Sequence, residues 1–185
     1  MFDDDTQISG EQVDEEDEVT EQLVFRMGDS LVSIPVLYVR EILDRTPYSV
    51  LPRAPHHVLG MIDVRGTMIA VLDFAQKMGA APMQEHPGSR IVVLEFEQDP
   101  TVMDVHALEP QETQLIAILT DGVVAVTALD AADVQQIPPI GELWNSDFIL
   151  GVAKLDGTPV IRLDLQCLFG DEQPLLFNMP AAKSA

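Results

Sequence analysis

The fold of this chain is decided by a phrase that occurs twice: HVLGMIDVRGTMIAVLDFAQKMG at residues 57–79 and FILGVAKLDGTPVIRLDLQCLFG at residues 148–170. With Val58 laid on Ile149, seven of 22 positions are identical, namely Leu59/Leu150, Gly60/Gly151, Gly66/Gly157, Thr67/Thr158, Leu72/Leu163, Asp73/Asp164 and Gly79/Gly170. Most of the others exchange one apolar residue for another. Each copy reads as two apolar runs around a glycine turn, then a short helix. Gly66 and Gly157 fall where a hairpin turn demands positive φ. Asp73 and Asp164 each end a strand just before a short helix, where a carboxylate accepts from free backbone N–H groups. A carboxylate that recurs once per copy at the same joint reads as a cap, not as half of a catalytic pair.

Outward from the repeat lie further short apolar runs bounded by turn residues. QLVFRM (22–27) and SLVSIPV (30–36) flank Gly28-Asp29 and predict a hairpin. VLYVREIL (36–43) sets Val36, Val39, Arg40 and Leu43 on a helical spacing and predicts a short helix or helical turn. Pro47, Pro52 and Pro55 exclude a long helix in the next stretch. A hairpin about Arg65-Gly66, a strand RIVVLEF (90–96) and a polar, Pro-containing loop over 97–113 follow. LIAILT (115–120) and VVAVTAL (123–129) about Asp121-Gly122 predict a third hairpin. LVFRMGDSLVSI (23–34) also aligns with LIAILTDGVVAV (115–126), placing Leu23 on Leu115 and Asp29 on Asp121. So many short strands predict a mainly all-β fold. The duplication predicts two small barrels related by a pseudo-two-fold axis. Each is near the lower size limit for independent stability, so a shared core is expected.

Of 185 residues, 46% are apolar, enough for a core, and the formal net charge is −21. Ten acidic residues and no Lys or Arg lie in residues 1–21, which leaves 21 acidic and 10 basic residues beyond them. Residues 1–20 therefore read as a disordered acidic tail, either a solubilising arm or a docking arm for a basic partner. Such a charge balance argues against nucleic acid and anionic membrane as partners. No apolar run is long enough to span a bilayer, and MFDDDTQ lacks the features of a signal peptide. Cys167 is the single cysteine, so no intrachain disulfide forms and a reducing cytoplasm is the expected location.

A catalytic reading needs a nucleophile, a base and a stabiliser that converge. The sequence has no G-x-S-x-G elbow, phosphate loop or G-x-G-x-x-G. The adjacent His56-His57 are ill-placed to share one ion, while His86 and His106 fall in polar loops. No metal, cofactor or enzymatic activity is expected. Attention falls instead on Arg65, a charge at a hairpin tip, and Asp63 two residues before it: either their charges pair, or Arg65 is a solvated turn residue. Glu41 is a charge embedded among apolar neighbours, and Trp144 reads as a core or loop anchor.

Together these phrases resemble the CheW-like domain family over about residues 20–170, leaving 171–185 as a C-terminal tail. QLVFRMGDSLVSIPVLYVREIL is similar to the family's opening "F…IPI..V.EI". LPRAPHHVLGMIDVRGTMIAVLDF is similar to its "P.AP..I.G..N.RG.IIPV.DL". TDGVVAV and ILGVAKLDGTPVIRLDL resemble its later segments. The resemblance implies two intertwined, five-stranded SH3-like β-barrels and no catalysis. It implies an adaptor that couples the cytoplasmic tip of a chemoreceptor to the regulatory domain of a CheA-type histidine kinase, cytoplasmic and peripheral to membrane-bound receptor arrays. Val39, Glu41 and Ile42 match the family's V-x-E-I segment at the receptor groove, and Arg65 and Gly66 match its N-x-R-G turn. The family's Asn is Asp63 here, a carboxylate beside the arginine that is expected to compete for it or to alter partner choice. The alternatives are a module of a specialised, non-motility chemosensory pathway, or a protein whose acidic tail does the binding.

Overall fold

A computed structural model describes residues 20–97, 113–129 and 146–169. The acidic tail, most of the loop expected at 97–113, His106, Trp144 and the C-terminal tail lie outside the described residues. Among the described residues, ten strands and two short α-helices follow one another: β1 (Glu21–Met27), β2 (Ser30–Pro35), β3 (Val39–Asp44), β4 (Val58–Val64), β5 (Thr67–Asp73), α1 (Phe74–Lys77), β6 (Arg90–Glu97), β7 (Thr113–Thr120), β8 (Gly122–Ala128), β9 (Ile149–Leu155), β10 (Thr158–Leu163) and α2 (Leu165–Phe169). They form two five-stranded sheets, ordered β8-β1-β2-β10-β9 and β3-β6-β7-β5-β4, each with the SH3-like architecture.

Exchanging β1 for β6, β2 for β7, β3 for β8, β4 for β9 and β5 for β10 turns one strand order into the other. The correspondence reaches single residues. The β3–β6 ladder skips Arg40 between Val39 and Glu41, and the β8–β1 ladder skips Val124 between Val123 and Ala125. Likewise β4 skips Leu59 and β9 skips Leu150. Each sheet draws two strands from one half of the sequence and three from the other.

Strand alternation explains the core, because successive side chains leave on opposite faces. In β1, Leu23, Phe25 and Met27 enter one large cluster, as do Val92, Leu94 and Phe96 of β6, Ile116 and Ile118 of β7, and Ile161 and Leu163 of β10. This is the core shared between the sheets. The intervening residues turn away from it. Ile91, Val93, Ala117, Leu119, Ile62, Ile69 and Val71 fill the interior of the second sheet, and Val24, Ala153, Val160 and Leu129 that of the first. Phe74, Leu165, Leu168 and Phe169 of the two helices join the shared core, with Phe74 and Phe169 stacked at 6.2 Å.

Three expectations need correction. Helical geometry covers Val36–Tyr38 alone, and Val39–Asp44 is a strand. The bulge at Arg40 disturbs its alternation and produced the apparent helical spacing. The third hairpin does not form either: β7 lies in the second sheet and β8 pairs with β1 in the first. Asp121 directs this parting, its N–H donating to the Arg26 carbonyl (3.1 Å) and its carboxylate accepting from Gly28 N–H (2.6 Å). Gly122 fits the crossing because an added Cβ would lie 3.2 Å from the Gly88 carbonyl oxygen. The alignment of 23–34 with 115–126 fails for the same reason, since β2 and β3 are the counterparts of β7 and β8.

Candidate functional site

The hairpin β4–β5 turns through two left-handed residues, Arg65 (φ 55°) and Gly66 (φ 88°), as its counterpart does through Asp156 (φ 50°) and Gly157 (φ 80°). Asp63 Oδ1 accepts a hydrogen bond from Gly66 N–H at 2.7 Å and so braces the turn. The turn aims Arg65 across to β3, where its Nη2 lies 3.2 Å from Glu41 Oε2. The arginine side chain is 82% exposed and that of Glu41 only 19%. An ion pair so open to water contributes about 0–1 kcal/mol to stability. Its consequence is therefore positional, since it presents a guanidinium at a fixed place beside a partly sheltered carboxylate.

Around this pair lies a groove of about 80 Å³ lined by Arg40, Glu41, Val64, Arg65, Thr67, Ile69 and Leu115. That is well below the roughly 300–1,000 Å³ of pockets that enclose small molecules. Its apolar floor with a charged rim suits contact with another protein. Arg40 extends the rim and meets Glu95 at 3.4 Å.

Of the six residues singled out from sequence, Glu41 and Arg65 line this groove, Asp63 and Gly66 shape its turn, and Val39 and Ile42 lie outside it. Glu41 and Arg65 meet directly, and Asp63 and Gly66 build the turn that makes them meet. Val39 and Ile42 leave β3 on the other side, toward the shared core, where Val39 packs on its margin and Ile42 remains 41% exposed. An Asp63–Arg65 pair is not what the structure shows, because the Asp63 carboxylate serves the turn and Arg65 pairs with Glu41. Arg40, Val64, Thr67, Ile69 and Leu115 were missed. Leu115 could not be found by proximity in sequence, since it comes from β7 in the other half of the chain. Val64 and Thr67 flank the Arg65-Gly66 turn and were within reach of a local argument.

The carboxylates considered for catalysis are structural. Asp73, 1% exposed, accepts from Gln76 N–H (3.0 Å), the Gln76 side-chain amide (3.0 Å) and Met83 N–H (2.9 Å). Asp164 accepts from Cys167 N–H at 3.0 Å. Among the described residues, no group of three His, Cys, Asp or Glu side chains is placed to hold a metal.

Comparison with known proteins agrees with this architecture. A family model described as the CheW-like domain matches residues 21–173. The chain is 27% identical over 153 residues to chemotaxis protein CheW of Rhizobium meliloti, covering 83% of this chain and 89% of the relative. It is 22% identical over 173 residues to chemotaxis protein CheW of Klebsiella aerogenes, covering 94% and 92%. The crystal structure of scaffolding protein TtCheW from Thermoanaerobacter tengcongensis superposes with a TM-score of 0.65 at 24% identity, covering 83% of this chain and 91% of that one, a likeness of fold.

Proposed function

The chain belongs to the CheW-like domain family, and from that premise we propose that it is a non-enzymatic adaptor coupling chemoreceptors to a CheA-type histidine kinase in a bacterial chemosensory complex. The observation that carries this reading is the Glu41–Arg65 pair over the groove of the second sheet, formed by the residues that match the family's V-x-E-I and R-G segments. In this reading the receptor's helical tip lies along β3 and the β4–β5 turn. Ile42 and Val39 give it apolar contact, and Arg65 meets an acidic or carbonyl group. The regulatory domain of the kinase takes a different surface, which lets one chain hold both partners. No helix among the described residues is long and apolar enough to cross a membrane. The adaptor then reaches receptor arrays through protein contacts.

The test is a binding titration of the full chain against a receptor-tip fragment and, separately, a kinase regulatory domain. Arg65→Glu is expected to weaken receptor-tip binding by about tenfold or more, roughly 1.4 kcal/mol, while kinase-domain binding and the melting temperature hold. Equal affinity of Arg65→Glu and wild type for the tip would remove the groove from the receptor interface. Failure of the wild type to bind either partner would refute the adaptor reading.

A further inference from the structure

The strand exchange that relates the two barrels gives the Glu41–Arg65 groove a counterpart on the first barrel, and the ladders fix it residue by residue. Glu41 pairs with Val93 beside the bulge at Arg40, and Ala125 pairs with Val24 beside the bulge at Val124. Glu95 pairs with Leu115 as Arg26 pairs with Leu31. Asp63 pairs with Met68 as Lys154 pairs with Pro159, and Asp156-Gly157 forms the turn that Arg65-Gly66 forms in the other hairpin.

Backbone and apolar floor are the same in both. Asp156 has φ 50° against 55° for Arg65, and Gly60 and Gly151 share φ 159°. Residues 63–68 and 154–159 run through one pattern of exposure, in which only the second residue of each six is partly sheltered. Those second residues are Val64 and Leu155. Val64 and Leu115 pack against the cluster that holds Ile69, as Leu155 and Leu31 pack against the cluster that holds Val160.

The charges differ throughout. Asp156 stands for Arg65, Lys154 for Asp63 and Arg26 for Glu95, three reversals of sign. The other two charges are lost, since Ala125 stands for Glu41 and Val124 for Arg40. Asp156, Lys154 and Arg26 are exposed, and none of the ion pairs among the described residues uses them. The inverted charges therefore do little for the fold. Their effect falls on whatever approaches the surface, and two surfaces of one shape with opposite charge discriminate between partners.

We propose that Asp156, with Ala125 at the Glu41 position, is the specificity determinant that denies the first barrel to the partner of the Arg65 groove, so that the chain binds a receptor tip once. This rests on the receptor reading of that groove. The partner oxygen that accepts from Arg65 on the second barrel would face the Asp156 carboxylate on the first, where an ionised carboxylate has no proton to donate. Ala125 removes the carboxylate that holds the guanidinium in place. Shape alone would admit the tip to both barrels, and the charge at one turn decides between them.

The experiment is calorimetric titration of the full chain with a receptor-tip fragment, read as stoichiometry and affinity. Ala125→Glu and Asp156→Arg are introduced together, in the wild type and in Arg65→Glu. Arg65 shows that arginine stands in this turn conformation. Asp156→Arg alone, at an exposed position, serves as a second variant should Glu at the partly buried Ala125 disturb folding, which the melting temperature reports. The wild type is expected to bind one tip per chain and the double variant two. In the Arg65→Glu background the double substitution should recover about tenfold or more in affinity, and Asp156→Arg alone a part of it. A wild type that binds two tips overturns the proposal, because the first barrel then refuses nothing. A wild type that binds once and loses affinity in Arg65→Glu, with no gain from either folded first-barrel variant, overturns this proposal alone and leaves the groove reading intact. A wild type that does not bind the tip overturns the groove reading and this inference with it.

Discussion

Arg65 stands at φ 55°, a left-handed conformation that costs a residue with a Cβ about 1–2 kcal/mol. Its ion pair with Glu41 offsets little of that cost, since the pair is open to water. Arg65→Gly separates the two aspects of the residue. It relieves the backbone while giving the unfolded chain more freedom, and the two effects oppose each other. We expect the melting temperature to stay level or rise by up to about 4 °C, while receptor-tip affinity falls as it does for Arg65→Glu. A clear drop in melting temperature would mean that the side chain holds the turn. Asp63 behaves in the reverse way. Its carboxylate accepts from Gly66 N–H, which an Asn carbonyl can also do, so Asp63→Asn should leave both stability and affinity nearly unchanged. Asp63→Ala should cost about 0.5–1.5 kcal/mol in urea denaturation. A gain in receptor affinity for Asp63→Asn would restore the idea that Asp63 competes for Arg65.

At the scale of elements, the two caps look alike in sequence and differ in load. Among the described residues, Asp164 answers one backbone N–H, at Cys167. Asp73 answers those of Gln76 and Met83 as well as the Gln76 amide, and it does so while buried. Removing a partly exposed cap costs about 1 kcal/mol. Orphaning two sheltered donors costs about 1–3 kcal/mol for each. Asp73→Ala is therefore expected to destabilise at least twice as much as Asp164→Ala in chemical denaturation, and equal losses would show that the Met83 contact contributes nothing. The caps and the β4–β5 and β9–β10 hairpins were legible because their signals, Asp before a short helix and Gly in a turn, are local. The strand character of Val39–Asp44 was hidden by one bulged residue, Arg40. The site was legible only in its local part: the turn and V-x-E-I segment could be read, but not that Glu41 rather than Asp63 receives Arg65.

For the whole molecule, the pairing of strands is what sequence could not disclose. Asp121-Gly122 has the composition of a hairpin turn, yet β7 and β8 separate because β8 completes the sheet of β1 and β2, while β3 crosses to complete that of β6 and β7. A duplicated sequence is compatible with two independent barrels or with two that exchange strands. Residue types alone do not distinguish them. The exchange has a testable consequence. Residues 1–89 hold β1 to β5 but leave β1-β2 without β8 and β10, and β4-β5 and β3 without the β6-β7 pair that joins them. The shared core would also lose Val92, Leu94, Phe96, Ile116, Ile118, Ile161 and Leu163. A monomer of either half is therefore expected to be unfolded, with a collapsed amide spectrum. Mixing residues 1–89 with residues 90–185 should recover the dispersed spectrum of the intact chain. If one half folds by itself, the near-symmetry of the strand order requires it to do so as a two-fold dimer, each copy giving its last three strands to complete the sheet begun by the first two of the other. A folded monomer of either half, seen by ultracentrifugation and a dispersed amide spectrum, would falsify the intertwined topology.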